Sequence, residues 1–400
     1  MSLLSGLTVL SLEQATTLPF LTQRLAREGA RIIRIEVPGR GDPNRYVGRD
    51  ILGEQGMGSY FFPNNCGKQA ITLNLAHPDG RMLLNRLLTE LPAADGERRG
   101  ADLFATNNRP SSYPKLGIEY GELRSARRDL IWLGITGYGP DCDDLAYDPI
   151  VQAKVGWMDL TGEPGGPPLV FGLPMVDLGA AEHAYGAVMK ALYRRTLTGE
   201  GTRIDLSLSS SALGWMVSPV ALTVLGETIT RRGNTHQFFA PVSVYSTRDG
   251  YAYVSVGNDR QWEALTGVPG FERLAEPEYG RNAGRIADAD RLNARLAEVS
   301  AEWNTDDLIG SMQSAGVPAA KVIQLPEVVS DLSNSRGTAR ARDPRTGVEI
   351  LLPPLPVVSE PGITELAFPP RLGEHNEAIL GGGLGLSRPE LERLQSEGVI

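Results

Sequence analysis

The residue best placed for chemistry is Asp177, which stands between an apolar stretch, PPLVFGLPMV, and a run rich in small residues, LGAAEHAYGAVMKALYRRTLTGEG. Rigid elements on both sides orient such a carboxyl, and small neighbours leave room beside it. An acid at this kind of junction serves first as a helix N-cap, accepting hydrogen bonds from the first-turn amides. Those amides also favour the ionised carboxylate, the form that attacks an electrophile, so capping and catalysis are compatible. Gly137-Tyr138-Gly139-Pro140 and Asn107-Asn108-Arg109-Pro110 each follow an apolar strand-like run. They fall at the strand ends where α/β sheets bind ligands, although a structural turn and a polar loop are the plainer readings. Lys68 and Lys115 add cations, which taken singly read as solvated side chains. Cys66 and Cys142 match no metal spacing and read as bystander thiols; His77, His183, His236 and His375 are too dispersed for a zinc site. No metal is expected.

The elements that would carry these residues follow from periodicity. LTVLSLE is an apolar strand, PFLTQRLAREG an amphipathic helix closed by Gly29, and ARIIRIEV a second strand, together a β-α-β unit. AITLNL, ADLFATN and DLIWLGITGYG predict further strands and DGRMLLNRLLTEL a helix, giving an α/β, doubly wound parallel sheet. The turn after the first strand, Glu13 to Pro19, lacks the G-x-G-x-x-G of a dinucleotide site, so Glu36 at the end of the second strand reads as an exposed strand-end acid. The segment after Asp177 predicts a central, buried helix; RIDLSL a strand; SALGWMVSPVALTVLG an apolar helix. A polar stretch, Thr228 to Asn234, opens a new unit with a hairpin, VSVYST and YAYVSVG, turned at Arg248-Asp249-Gly250. The expected boundaries are 1–228 for a large α/β domain, 229–330 for a smaller α+β domain, and 331–400 for a segment returning to the first. Its Pro-rich portions read as extended and SRPELERLQSEGVI as a terminal helix.

Composition narrows the function classes. The chain has 400 residues, 48 acidic against 39 basic, and a net charge of −9. A nucleic-acid binder carries a basic face, so DNA and RNA are not expected partners. No apolar run approaches the ~18 residues that cross a bilayer, and the first ten residues lack a signal-peptide pattern, so no membrane association is expected and the location reads as cytoplasmic.

Ordered end to end, the stretches GLTVLSLEQATTLPFLTQRLAREGARIIRIEVPGRGDPNR, NCGKQAITLNLAHPDGR, NNRPSSYPKLGI, ITGYGPDCDDLAYDPIVQAKVGWMDLTGEPGGPP, LPMVDLGAAEHAYG, RRGNTHQFFAPVSVYSTRDGYAYVSVG and PPRLGEH resemble the class III CoA-transferases. That group contains formyl-CoA and carnitine CoA-transferases and is related to the α-methylacyl-CoA racemases. The resemblance implies a large Rossmann-like CoA-binding domain built from both chain ends, a smaller inserted domain, and an interlocked homodimer. It implies transfer of CoA from an acyl-CoA thioester to a carboxylic acid, with coenzyme A thioester as substrate and no tightly bound cofactor. It also makes Asp177 the catalytic residue, acylated in turn as a mixed anhydride and as an aspartyl-CoA thioester. First-turn amides of its own helix would be at hand for the oxyanions.

The same resemblance places the active-site turn at Gln14 to Thr17, with Thr16, where formyl-CoA transferase has glutamine, altering the acyl pocket, and makes Thr16, Thr17, Asn107 and Lys115 CoA-binding residues. Two family cations are missing, at Ala76 and Thr136, for which Arg40 or Arg45 would substitute at a phosphate. The segment Gly233 to Phe239 departs from the family's oligoglycine loop, putting gating in doubt; His236 and Gln237 read either as substrate contacts or, for His236, as a histidine satisfied within its loop. A racemase would need a histidine where Tyr147 precedes Asp148, and tyrosine with an ordinary pKa near 10 suits α-proton abstraction poorly. Intramolecular transfer within one branched dicarboxylate would use the same aspartate, and the insert PAADGERRG is compatible with it.

Overall fold

The computed structural model describes residues 2–93, 100–333, 335–357 and 363–400. The insert PAADGERRG and the end of the Pro-rich segment VVSEP lie in part outside the described residues. Two compact units are formed: 1–155, 172–221 and 332–400 in one, 156–171 and 222–331 in the other.

The first unit is built on a six-stranded parallel sheet ordered β3-β2-β1-β4-β5-β6. Its strands are β1 (Thr8–Leu12), β2 (Arg31–Glu36), β3 (Gln69–Thr72), β4 (Leu103–Thr106), β5 (Ile131–Thr136) and β6 (Thr202–Ser207). This is the order of a doubly wound sheet, and the direction of winding reverses between β1 and β4. Every residue of β1, β4 and β5 is buried, the continuous pattern of parallel strands covered on both faces, while β6 at the edge alternates. Helix α1 (Thr17–Arg27) links β1 to β2, and α2 (Pro78–Glu90) and α3 (Tyr113–Leu116) follow β3 and β4. The core joins both chain ends: Leu10, Ile33, Phe104 and Trp132 share one cluster with Ile379, Leu394 and Val399. Strands β10 (Ala339–Arg342), β11 (Glu349–Leu352) and β12 (Glu365–Leu366) form a second small sheet in this unit.

Helix α4 (Tyr120–Ala126) precedes β5, and between β5 and β6 run α5 (Asp148–Lys154), α6 (Trp157–Leu160, in the second unit) and α7 (Met175–Thr198). Helix α7 is buried along a single stripe, Val176, Gly179, Ala180, Ala181, Ala184, Val188 and Ala191, and not all round as its small residues suggest. A side chain at Gly179 would bring Cβ within 2.7 Å of the Trp215 indole nitrogen, so the close crossing requires glycine there. The expected single apolar helix after β6 is two helices, α8 (Leu208–Gly214) and α9 (Val217–Val224). Pro219 explains the break, since its ring excludes the carbonyl four residues back, at Trp215, from a continuous helix.

In the second unit, β7 (Val242–Ser246) and β8 (Tyr251–Ser255) pair antiparallel across the Arg248-Asp249-Gly250 turn, and β9 (Ala319–Lys321) extends the sheet. Tyr245, Val254, Trp262, Phe271 and Leu296 form its core. No helix among the described residues is long and apolar enough to cross a membrane.

Candidate active site

The chain enters α1 through a turn that local sequence does not favour. Ala15 lies at φ +62°, the left-handed region uncommon for residues other than glycine. Its neighbours hold it there. The Ala15 amide donates to Asp42 (3.2 Å), Asn44 Nδ2 donates to the Ala15 carbonyl (2.9 Å), and Asn107 brackets Gln14, accepting from its amide (3.0 Å) and donating to its carbonyl (2.8 Å). Asn107, expected at CoA, therefore spends its side-chain amide on this turn.

Beneath the turn lies a buried charge network. Glu13 accepts from Lys68 (2.7 Å), Thr22 (2.6 Å) and Ser11 (2.7 Å). Arg34 pairs with Asp42 (3.0 Å) and Glu36 (3.1 Å), and Arg45 with Glu36 (2.6 Å), the two guanidinium groups stacking on Phe61. Three expectations are corrected here. Lys68 is not solvated but sealed against Glu13, with burial pushing its ammonium down to about 8. Glu36 is not an exposed strand-end acid; despite burial its two arginines hold it at about 2. Arg45 is buried on Glu36 and is not free to bind a phosphate. Arg40 and Lys115 are exposed.

Thr17, the first residue of α1, donates its hydroxyl to Asp177 Oδ1 at 2.5 Å. Asp177 is not the N-cap of α7: that position is Pro174, and Asp177 sits in the first turn. The cap comes from elsewhere in the sequence. Asp148 Oδ2 accepts from the amides of Val176 (2.7 Å) and Asp177 (3.1 Å), and its Oδ1 accepts from Gln152 (2.5 Å). Met175 donates to Leu173 and Leu178 to Pro174, so the first-turn amides of α7 are consumed and do not supply the expected oxyanion donors. The Thr17 and Leu18 amides at the start of α1 have no acceptor among the described residues. Burial pushes the Asp177 carboxyl up to about 6, the Thr17 hydrogen bond opposing and the Asp148 charge reinforcing the rise.

Thr16 is the N-cap of α1 and makes no side-chain capping bond, leaving its hydroxyl uncommitted beside Thr17. Thr136 accepts from the Gly139 amide (3.0 Å), and the turn after it borders a cavity of about 410 Å³ with His183, Ser207 and Ser211. Ala76 is exposed just before α2. In the second unit, Gly233 donates to the Gly162 carbonyl (2.7 Å) and the His236 ring stacks on Phe239.

The description CoA-transferase family III matches residues 4–376 of this chain. The chain belongs to that family. Among its relatives, a succinate–glutarate CoA-transferase of Agrobacterium fabrum is 30% identical over 388 residues, covering 94% of each chain. An acetyl-CoA:oxalate CoA-transferase of Acetobacter aceti is 33% identical over 331 residues, covering 81% of this chain and 82% of the relative. The crystal structure of a CAIB/BAIF family protein from Brucella suis matches with a TM-score of 0.82 at 30% identity, covering 95% of this chain and 99% of that one. The protein is thus a family III CoA-transferase.

Sequence reasoning misses Asp42, and reaches Asp148 only as the neighbour of Tyr147 in the racemase reading and not as the cap of α7. Asp148-Pro149 opens α5 and reads as belonging only to that helix, and nothing local ties it to amides 28 residues on.

Proposed function

We propose that this transferase moves CoA from an acyl-CoA to a small carboxylic acid through covalent intermediates on Asp177. The supporting observation is a half-buried carboxyl that is relieved of capping by Asp148 and held by Thr17. In the first step an Asp177 oxygen attacks the thioester carbonyl, the C–S bond breaks, and CoA leaves as thiolate with a mixed anhydride behind it. The thiolate then attacks the aspartyl carbonyl and expels the first acid as carboxylate, forming an aspartyl-CoA thioester. The acceptor carboxylate attacks that thioester and releases thiolate. Finally the thiolate attacks the acceptor's acyl carbon, giving the new acyl-CoA and free Asp177. Every nucleophile and leaving group is an anion, so no proton need move and no acid–base residue is demanded.

The raised pKa suits this role, since a carboxylate of pKa about 6 is mostly ionised at neutral pH and more basic than an ordinary aspartate. The Thr17 and Leu18 amides are the donors for the tetrahedral oxyanions, because they alone remain free at this junction among the helix-start amides described above. Thr16 and Thr17 border the acyl group. CoA lies along the carboxyl ends of the strands, Lys115 following β4 and Arg40 following β2 on either side of β1, and Asn107 contributes by fixing the turn. The site needs no resident cofactor. The racemase reading loses support, because Tyr147 is exposed and Asp148 is committed to α7.

We further propose that residues 1–228 and 331–400 act as the CoA-binding domain, that 229–330 act as an inserted domain, and that two copies form an interlocked homodimer in the cytoplasm. Apolar side chains exposed on α9, Val217, Val220 and Val224, are the kind of surface a partner subunit covers. The test of the chemistry is Asp177→Asn, which is expected to bind CoA esters normally and to lose transfer by about 10³-fold or more. Near-normal turnover in that variant would reject the reading.

A further inference from the structure

Helix α1 carries a second set of polar groups on the face that starts with Thr17. Phe20, Arg24 and Arg27 follow it at helical spacing, and with Gln23 they line a pocket of about 360 Å³ whose far wall includes Pro353 and Leu355. Arg24 is paired with Glu182 and stacks on Tyr185. Arg27 is different. It is only 6% exposed, donates Nη1 to the Pro353 carbonyl (2.8 Å), and has no carboxylate partner among the described residues. The amide nitrogen of Gln23, itself 4% exposed, and the Nε atoms of both arginines are buried without a hydrogen-bond partner among the described residues. An unpaired cation and several unmet donors in one small cavity are costly unless an acceptor joins them.

We propose that this pocket binds the carboxylate of a short aliphatic acid, with the head group at Arg27 and Gln23 and the hydrocarbon body against the proline-rich wall. The charges select the class. Glu182 pairs directly with Arg24, whereas Arg27 has the Glu28 charge near it but no direct ion pair among the described residues, which leaves a place for one carboxylate and fits a monoanion. A phosphate dianion would meet Glu182, and a dicarboxylate would press its second charge on apolar side chains. The occupant would sit on the same face of α1 as Thr17, about 10 Å along the helix axis, and is separate from the group that Asp177 attacks. The proposal does not depend on the transfer chemistry.

The test is a calorimetric titration of butyrate into the full-length Asp177→Asn protein, in which turnover cannot contribute. With the site at Asp177 occupied by a saturating acyl-CoA, one saturable butyrate site per chain is expected. Adding Arg27→Met should weaken binding about tenfold, the worth of a hydrogen bond to a charged group, while Arg27→Lys should retain most of it. Leu355→Trp, which fills the pocket and leaves the cation in place, should also abolish binding, so a misfolded Arg27→Met would not decide the matter. Glutarate should bind more weakly than butyrate and inorganic phosphate should not compete. Absence of a saturable site at millimolar butyrate, unchanged affinity in both Arg27→Met and Leu355→Trp, or competition by phosphate would overturn the assignment. Persistence of butyrate binding alongside normal transfer by Asp177→Asn would reject the aspartyl mechanism and leave this site standing.

Discussion

At the residue scale, the pKa of Asp177 is set by opposed effects that can be moved separately. Burial raises it to about 6, and the Thr17 hydroxyl, which stabilises the ionised form, limits the rise. In the proposed mechanism the ionised form attacks, so kcat/KM should fall below about pH 6 in the wild type. Thr17→Val should move that acid limb upward by about one pH unit, the equivalent of a hydrogen bond to a charged group of ~1.5 kcal/mol, and Thr17→Ser should leave it in place. An unshifted limb in Thr17→Val would show that the hydroxyl does not act on the nucleophile. The same raised pKa costs stability. A carboxyl whose folded pKa lies above its unfolded value favours the fold most below the unfolded pKa, near 4, and loses that contribution as pH rises through 6. Asp177→Asn should therefore be more stable than wild type at pH 8, on the order of 2 kcal/mol by urea unfolding, with the gap closing by about pH 4.

At the element scale, the placement of α7 depends on a cap lent by α5. Asp148→Ala should destabilise the protein by about 1 kcal/mol through the lost cap. Asp148→Asn keeps an acceptor for the Val176 and Asp177 amides but removes the charge that raises the Asp177 pKa, so its acid limb should shift downward, opposite to Thr17→Val. Equal pH profiles for wild type and Asp148→Asn would contradict the electrostatic role. The strands and helices of the β1-α1-β2 unit were readable because apolar period and glycine punctuation act within a few residues. The candidate site was readable only in part: Asp177 stood out by its junction, whereas the cap, the Ala15 turn and the Glu13–Lys68 pair join residues far apart in sequence. Local rules assigned Asp177 the cap and Lys68 to solvent because each, considered alone, does best there. Removing Lys68 as Met should leave Glu13 a buried, poorly compensated charge and cost about 3–5 kcal/mol, part of which Glu13→Leu in the same protein should restore. Additive losses in the double variant would show the pair is not coupled.

At the scale of the whole molecule, both chain ends share one core, and Val217, Val220 and Val224 of α9 are exposed. The proposed homodimer predicts a solution mass twice the 43.2 kDa of the chain by light scattering. A stable, active monomer would leave the apolar surface of α9 without its proposed cover. Composition excluded function classes at this scale and named none; the ordered series of motifs carried the family, because their spacing records a whole architecture that no single residue does.

The central claim is covalent: one aspartate is acylated in every cycle. Hydroxylamine added to the enzyme turning over an acyl-CoA, followed by peptide mass spectrometry, should find a hydroxamate on Asp177 in the wild type and none in Asp177→Asn. A hydroxamate on another residue, or none on the protein while transfer is being quenched, would contradict it.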